Sequence, residues 1–291
     1  MSAPLIVDTD AGGDPDDAVA LVLAASRPEL TLVITGDECG GERARFTRHL
    51  LDLLGRADVP VVRGTDLGNT RYVCIDGLVP DTVPAQPDGM LDAVLSVCDA
   101  TDGPVRWVGI GPLSNLAAVL TAHPPLAERL TVTQMGGALN YRDPERAEHN
   151  FRLDPAAAAT VLAHARDLTL VMSDVTFTPE LEIAPGSTTH RALAGESAPA
   201  WARLVAGHMA RWFDRFHPGT IQHDALTLAT ALGRPFVELA TGHVALDELA
   251  RMRSDENGTR VALSRSADYP AAMAWIGGGL GAALAREEVT A

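Results

Sequence analysis

The sequence predicts an α/β fold: a mostly parallel central sheet flanked by helices, doubly wound, with a helical C-terminal part, over residues 1–291 as a single domain. Three observations carry this. Short apolar runs alternate with segments of helical length and period from the first residues onward, as strand–helix–strand units require. The hydrophobic fraction is 46% over 291 residues, ample for a sizeable core. No internal repeat, low-complexity tract or linker interrupts the alternation.

Taken in order, Leu5–Ile6–Val7 reads as a buried strand and Ala18–Ala25 as a helix, joined by a tight turn that Gly12, Gly13 and Pro15 favour. Leu30–Thr35 is the second strand, Glu42–Leu54 a helix and Val59–Val62 a short strand. Thr65–Asp88 is rich in Gly, Pro and Asp without a period and reads as a long loop, a class that is more often functional than filler. Then follow a helix over Met90–Ala100, a strand over Val105–Gly109, a helix over Ser114–Thr121 and a strand over Leu130–Met135. Beyond the loop Gly136–Leu153 come an Ala-rich helix over Pro155–Ala165, with Pro in its first turn, and a strand over Leu168–Met172. From Trp201 the pattern turns helical (Trp201–Phe216, Asp224–Leu232), and Val237–Leu246 and Thr259–Leu263 suggest short strands away from the main sheet. The Leu280–Ala285 tail is short and broken by Gly.

Ligands of such sheets sit beyond the carboxyl ends of the strands. The chemistry-bearing residues fall there: Asp8 and Asp10, then Asp37, Ile110, Glu148 and Asn150. The densest group is Asp8, Asp10, Asp14, Asp16 and Asp17, five carboxylates within ten positions around one turn. A turn that aims them at one point is tolerable only with a cation among them; the alternative is a solvated acidic loop.

Composition narrows the function. A net charge of −15 argues against a nucleic-acid polymer or an anionic membrane surface as partner and leaves small molecules open. All 23 basic residues are Arg, so Schiff-base, pyridoxal-phosphate and P-loop lysines are excluded. Cys39, Cys74 and Cys98 form no C-x-x-C pair, which suits a reducing compartment and carries no zinc signature. The M-S-A-P-L-I-V start lacks the charge and apolar run of a leader, so a cytoplasmic location is expected.

The segment V-D-T-D-A-G-G-D-P-D-D-A-V-A-L from Val7 to Leu21 resembles the aspartate motif D-x-D-x-G-x-D-D-A of the inosine-uridine-preferring nucleoside hydrolases, in a longer variant with Gly-Asp-Pro before the paired aspartates. Gly111-Pro-Leu-Ser-Asn-Leu-Ala117 is similar to the family's G-P-L-T-N-L-A, and Ala147-Glu-His-Asn150 with Asp154-Pro to its A-E-F-N and D-P. The resemblance implies calcium-dependent cleavage of a ribonucleoside to ribose and base, in a homo-oligomer, dimer or tetramer. It further implies metal ligation by Asp10, Asp17, the Ile110 carbonyl and Asp224, with Asp16 as general base for water. It assigns Glu148, Asn150 and Asp224 to the sugar hydroxyls, His223 to protonation of the leaving base, and Asp8 to orienting the acidic shell; Asp14 is unassigned. The bland alternatives are helix N-terminal roles for Asp16 and Asp224, a plain strand–turn–helix around Ile110, an exposed pair at Glu148 and Asn150, and a packed His223.

Three departures concern substrate recognition. Asp37 stands where the family has Asn, adding charge that demands a donor or cation. Val73 stands where the family's loop has His. The Asn usually found ahead of A-E-F-N has no clean counterpart: Asn140 serves only with a shifted loop, and Arg142 occupies the ungapped position, pairing with Asp143 or Glu145 or else meeting an anionic substituent. A modified riboside, or a metal-containing riboside binder without turnover, is the alternative function. The Asp8-Thr-Asp10 likeness to D-x-D phosphatases fails for want of a phosphate-binding Lys.

Overall fold

The structure, a computed structural model, describes residues 3–288. Met1 and Ser2, on which the leader reading begins, lie outside the described residues. The first half runs β1 (Leu5–Thr9), α1 (Asp16–Ala25), β2 (Leu30–Thr35), α2 (Glu42–Leu53), β3 (Val61–Arg63), α3 (Met90–Asp99), β4 (Val105–Gly109), α4 (Ser114–Ala122) and β5 (Leu130–Met135). It continues through α5 (His149–Leu153), α6 (Pro155–His164), β6 (Asp167–Val171), α7 (Ser173–Thr176), β7 (Glu182–Ile183), α8 (Thr188–Leu193) and α9 (Ala200–Arg215). The last part comprises β8 (Thr220–Ile221), α10 (His223–Ala231), β9 (Val237–Leu246), β10 (Met252–Ser254), β11 (Thr259–Ala267) and α11 (Tyr269–Glu288).

Among the described residues one nine-stranded sheet has the order β10-β9-β11-β6-β5-β4-β1-β2-β3, and β7 pairs with β8 in a small ribbon. Neighbours from β3 through β11 are parallel; β9 and β10 add antiparallel strands. The chain winds outward from β1 to β3, then returns to the other side of β1 at β4. The switch point therefore lies between β1 and β4, where Asp8 is in register with Gly109, and a crevice opens there at the carboxyl ends.

The expected strands and helices from β1 to α10 are all present, with boundaries displaced by at most two residues. Two expectations are corrected. Val237–Leu246 and Thr259–Leu263 do not stand apart: they form β9 and β11, and β11 extends the main sheet through Ala262↔Thr169 and Leu263↔Leu170. The edge of β6 would otherwise leave backbone groups unpaired, and buried Val261 and Leu263 give β11 an inner face to cover it. The glycine-broken tail belongs to the 20-residue helix α11. One of its glycines sits against α1: a Cβ on Gly279 would lie 2.4 Å from Leu23 Cδ2, so a side chain there would have to displace the end of Leu23.

All ten residues of α1 are buried, including Asp16 and Asp17 in its first turn. Such a helix is apolar on every side because it has packing on every side, with the sheet beneath and α2, α10 and α11 around it. Burial therefore fixes the paired aspartates within a helix that cannot shift without disturbing the core. The face of α9 that carries Trp201, Leu204, Val205 and Met209 is likewise buried within the chain, so it is not available to an oligomer interface.

Asn115 ties the strand ends together. Its Nδ2 donates to Asp8 Oδ1 at 2.7 Å and to the Thr35 carbonyl at 3.2 Å, while its Oδ1 accepts from Thr65 N at 2.8 Å. A Cβ on Gly64 would stand 2.2 Å from that Oδ1. Asn115→Ala leaves the buried Asp8 carboxylate and the part-buried Thr65 N–H without these partners, while the Thr35 carbonyl keeps Gly64 N at 2.8 Å; a loss of about 1–3 kcal/mol of stability is expected in urea unfolding, and a loss below about 0.5 kcal/mol would show that the network does not hold the strand ends.

Candidate active site

The crevice is a cavity of about 380 Å³ whose wall includes Asp10, Asp14, Asp16, Asp17, Ile110, Glu148, Asn150, His223 and Asp224. Sequence-distant groups thus converge: the β1–α1 turn, the end of β4, the start of α5 and the start of α10. Asp16, Asp17 and Asp224 come closest, each offering a carboxylate oxygen within 4.8 Å of the others, all buried. Burial first, and then repulsion from neighbouring carboxylates, push all three carboxyls well above the usual range: Asp14 and Asp10 act on Asp16, Asp10 and Asp16 on Asp17, and Asp16, Asp17, Asp10 and Asp14 on Asp224. Asp10 rises to about 6 through burial, opposed by Arg43, and Asp14 to about 8 through burial, opposed by the Thr220 hydroxyl that donates to it. Asp8 lies behind them at about 8, raised by burial and held against that by Asn115.

A hard cation fits this set. Every available donor is oxygen, and Arg43, the guanidinium on the same wall, is engaged with the backbone carbonyls of Asp10 and Asp37 and the Asp37 carboxylate. A divalent ion would relieve the repulsion that burial otherwise imposes. Asp16, read from the sequence as a base standing beside the metal, is in fact one of the three converging carboxylates; Asp10 lines the same cavity and packs against Gly111, where a Cβ would lie 3.0 Å from Asp10 Oδ1.

Across the cavity, Glu148 is the N-cap of α5, accepting from the N–H groups of Asn150 and Phe151 at 3.0 and 3.3 Å, and also from Gly137 N at 3.2 Å. Burial raises its carboxyl to about 7. Asn150 donates to the Met135 carbonyl at 3.2 Å, which orients its amide. Ser114, standing for Thr, donates to Asp154 Oδ2 at 2.7 Å, and Asp154 caps α6. Both members of the expected sugar pair are therefore buried, Glu148 held by its capping bonds and Asn150 by the Met135 carbonyl, not left on an exposed loop.

Four expectations change. Asn140 is exposed and bound to Asp174 through its backbone N–H and its side chain at 2.8 and 3.1 Å; it does not line the cavity, because the loop is not shifted to bring it there. Asp37 is fully buried behind the wall, and the cation and donor its charge demands come from the protein: Arg43 Nη2 at 3.2 Å and Asn69 Nδ2 at 3.0 Å. Arg142 pairs with neither Asp143 nor Glu145; its guanidinium stacks on Tyr141 and Phe177. His223 stands neutral, its pKa lowered to about 3 by burial and then by Arg142, with Nδ1 at 2.7 Å from Thr176 Oγ1.

Sequence reasoning missed Asn69, Tyr72, Tyr141, Arg152, Phe177 and Trp212, which also line the cavity. Only Tyr72 carried a signal, as the neighbour of the Val73 departure. The long loop brings it in, pinned by Cys74 N to the Gly12 carbonyl at 2.7 Å and by Arg215 Nη1 to the Val73 carbonyl at 3.4 Å.

A switch-point crevice with a buried all-oxygen donor set facing a carboxylate and an amide defines a protein that can hold a hard cation beside a polyhydroxylated ligand. The chain belongs to the family described as inosine-uridine preferring nucleoside hydrolase, whose family model matches residues 5–273. It is a ribonucleoside hydrolase, an N-ribohydrolase that gives ribose and free base, in a metal-dependent family. The pyrimidine-specific ribonucleoside hydrolase RihA of Enterobacter sp. (strain 638) is 30% identical over 255 residues, covering 80% of each chain. That of Shewanella sp. (strain ANA-3) is 33% identical over 252 residues, covering 80% of this chain and 78% of its own. In fold, a plant nucleoside hydrolase, PpNRh1, superposes with a TM-score of 0.78 at 22% identity, covering 96% of this chain and 99% of its own. No helix among the described residues is long and apolar enough to cross a membrane.

Proposed function

We propose that the protein is a calcium-dependent N-ribohydrolase of a small-molecule riboside, acting in the cytoplasm as a single-domain chain that assembles into a homo-oligomer, dimer or tetramer. The observation that carries the site is the convergence of Asp16, Asp17 and Asp224 within 4.8 Å at the strand ends, on the cavity that Glu148 and Asn150 also line. Free Cys39, Cys74 and Cys98 support a reducing compartment, and the assembly rests on the family resemblance.

Asp10, Asp17, Asp224 and the Ile110 carbonyl would hold the ion. When bound, it supplies positive charge that offsets the carboxylates and lowers the pKa of nearby water. Asp16 removes the proton from the attacking water. Its oxygen bonds to C1′ of the ribose as the C1′–N bond breaks through an oxocarbenium-like transition state, and the electron pair leaves with the base. Glu148, Asn150 and Asp224 position the hydroxyls. His223, which lines the cavity and is neutral, would aid departure by donating an N–H hydrogen bond to the base, not as a standing imidazolium.

Uridine and cytidine are the first substrates to test, since relatives at 30–33% identity are named pyrimidine-specific. Hydrolysis in ¹⁸O-labelled water is expected to place the label on ribose C1. Absence of ribose from these, from purine ribosides and from anionic ribosides would overturn the assignment. Chelation is expected to abolish release and to lower Tm, with both restored by calcium; a rate indifferent to chelator would remove the metal.

A further inference from the structure

The cavity has two unlike walls. One is the carboxylate floor at the strand ends. The other, formed by α5 and the loop ahead of it, presents hydrogen-bond donors. Arg152 Nη2 lies 2.8 Å from His149 Nδ1 and, always protonated, donates to it; the ring's own proton is therefore on Nε2, which makes His149 a donor. The guanidinium carbon of Arg142 lies 4.3 Å from the Phe177 ring centroid and 4.7 Å from that of Tyr141. Stacking holds the fork without using its N–H groups.

Arg142 forms no ion pair and no hydrogen bond among the described residues, although Asp143 and Glu145 are close in sequence. It is exposed and lines the cavity, so its N–H groups are free for a ligand there, whereas Arg45, Arg48, Arg56, Arg63, Arg251 and Arg253 are taken up by carboxylates. It lines the same cavity as His149 and His223. A neutral hydroxyl would satisfy one N–H of the fork, whereas a carboxylate or phosphate accepts two in parallel.

Resting on the riboside reading above, we propose that the cavity takes a riboside bearing an anionic substituent, a carboxylate or phosphate on the base or on the sugar's 5′ carbon, recognised by the stacked Arg142 fork. The probes are matched pairs in calcium buffer, measured by calorimetry: ribose 5-phosphate against ribose, and a ring-carboxylated pyrimidine against the unsubstituted pyrimidine. One anionic member is expected to bind at least about tenfold tighter than its neutral twin, and the pair that shows the advantage locates the substituent. Arg142→Met is expected to reduce that advantage to below about threefold, with Arg142→Lys restoring part of it, since charge survives and the fork does not.

Equal binding within both pairs, or an advantage untouched by Arg142→Met, would overturn the inference. Ribose release from uridine keeps the two claims apart. Release without any anionic advantage leaves the hydrolase and removes the anion site. An anionic advantage without release from uridine, from uridine 5′-phosphate, from a ring-carboxylated pyrimidine riboside or from purine ribosides leaves the anion site and removes the hydrolase.

Discussion

Asp16→Asn is expected to lower turnover at least about 100-fold, the usual worth of a general base, while fold and calcium content persist. Asn preserves the shape and polar contacts of the buried side chain but cannot accept a proton from water. The variant also resolves what the geometry leaves within reach of two roles, because Asp16 is one of the three converging carboxylates. Turnover by ribose release and calcium by elemental analysis are measured on the same sample. A rate near wild type would remove Asp16 from proton transfer. Loss of calcium along with the rate would make Asp16 a ligand and pass the base role to another carboxylate on the wall.

Asp224→Ala is expected to have the larger effect, since one side chain serves both ion and sugar. Loss of several kcal/mol of transition-state stabilisation corresponds to about 10³-fold or more in kcat/KM, with calcium occupancy falling below about a tenth. Stability should move the other way in the absence of metal. Asp224 is buried among Asp16, Asp17, Asp10 and Asp14, which repel its charge, so its removal relieves the ion-free protein. Metal-free Asp224→Ala should therefore melt no lower than metal-free wild type, and calcium should raise Tm only in wild type. Full calcium occupancy in the variant would remove Asp224 from the metal site.

Legibility of the fold followed the physics of each segment. Strands β1, β2, β4, β5 and β6 are mostly buried and rich in apolar and β-branched residues, which short-range pattern captures. The strands β9 and β11 were visible as strands, but their place was not. Whether an alternating strand joins a sheet depends on a free edge that forms some ninety residues earlier, at β6. The helix α11 was hidden because Gly277, Gly278 and Gly279 disfavour helix locally, and Gly279 sits against α1 at Leu23.

The acidic part of the site was legible because its carboxylates sit on one turn and on short motifs at strand ends. The recognition wall was not. Tyr141, Phe177 and Trp212 come from three separate segments, and nothing in their neighbourhoods distinguishes them from ordinary surface or core aromatics. Arg142 shows the same limit, since sequence adjacency to Asp143 and Glu145 suggested an ion pair where the fold supplies two rings.

The central claim is tested most directly by reducing-sugar release from a panel of pyrimidine, purine and anionic ribosides, with calcium and with chelator. The account predicts release from at least one of them, abolished by chelator and restored by calcium. Silence across the whole panel from a folded, calcium-loaded protein would contradict it.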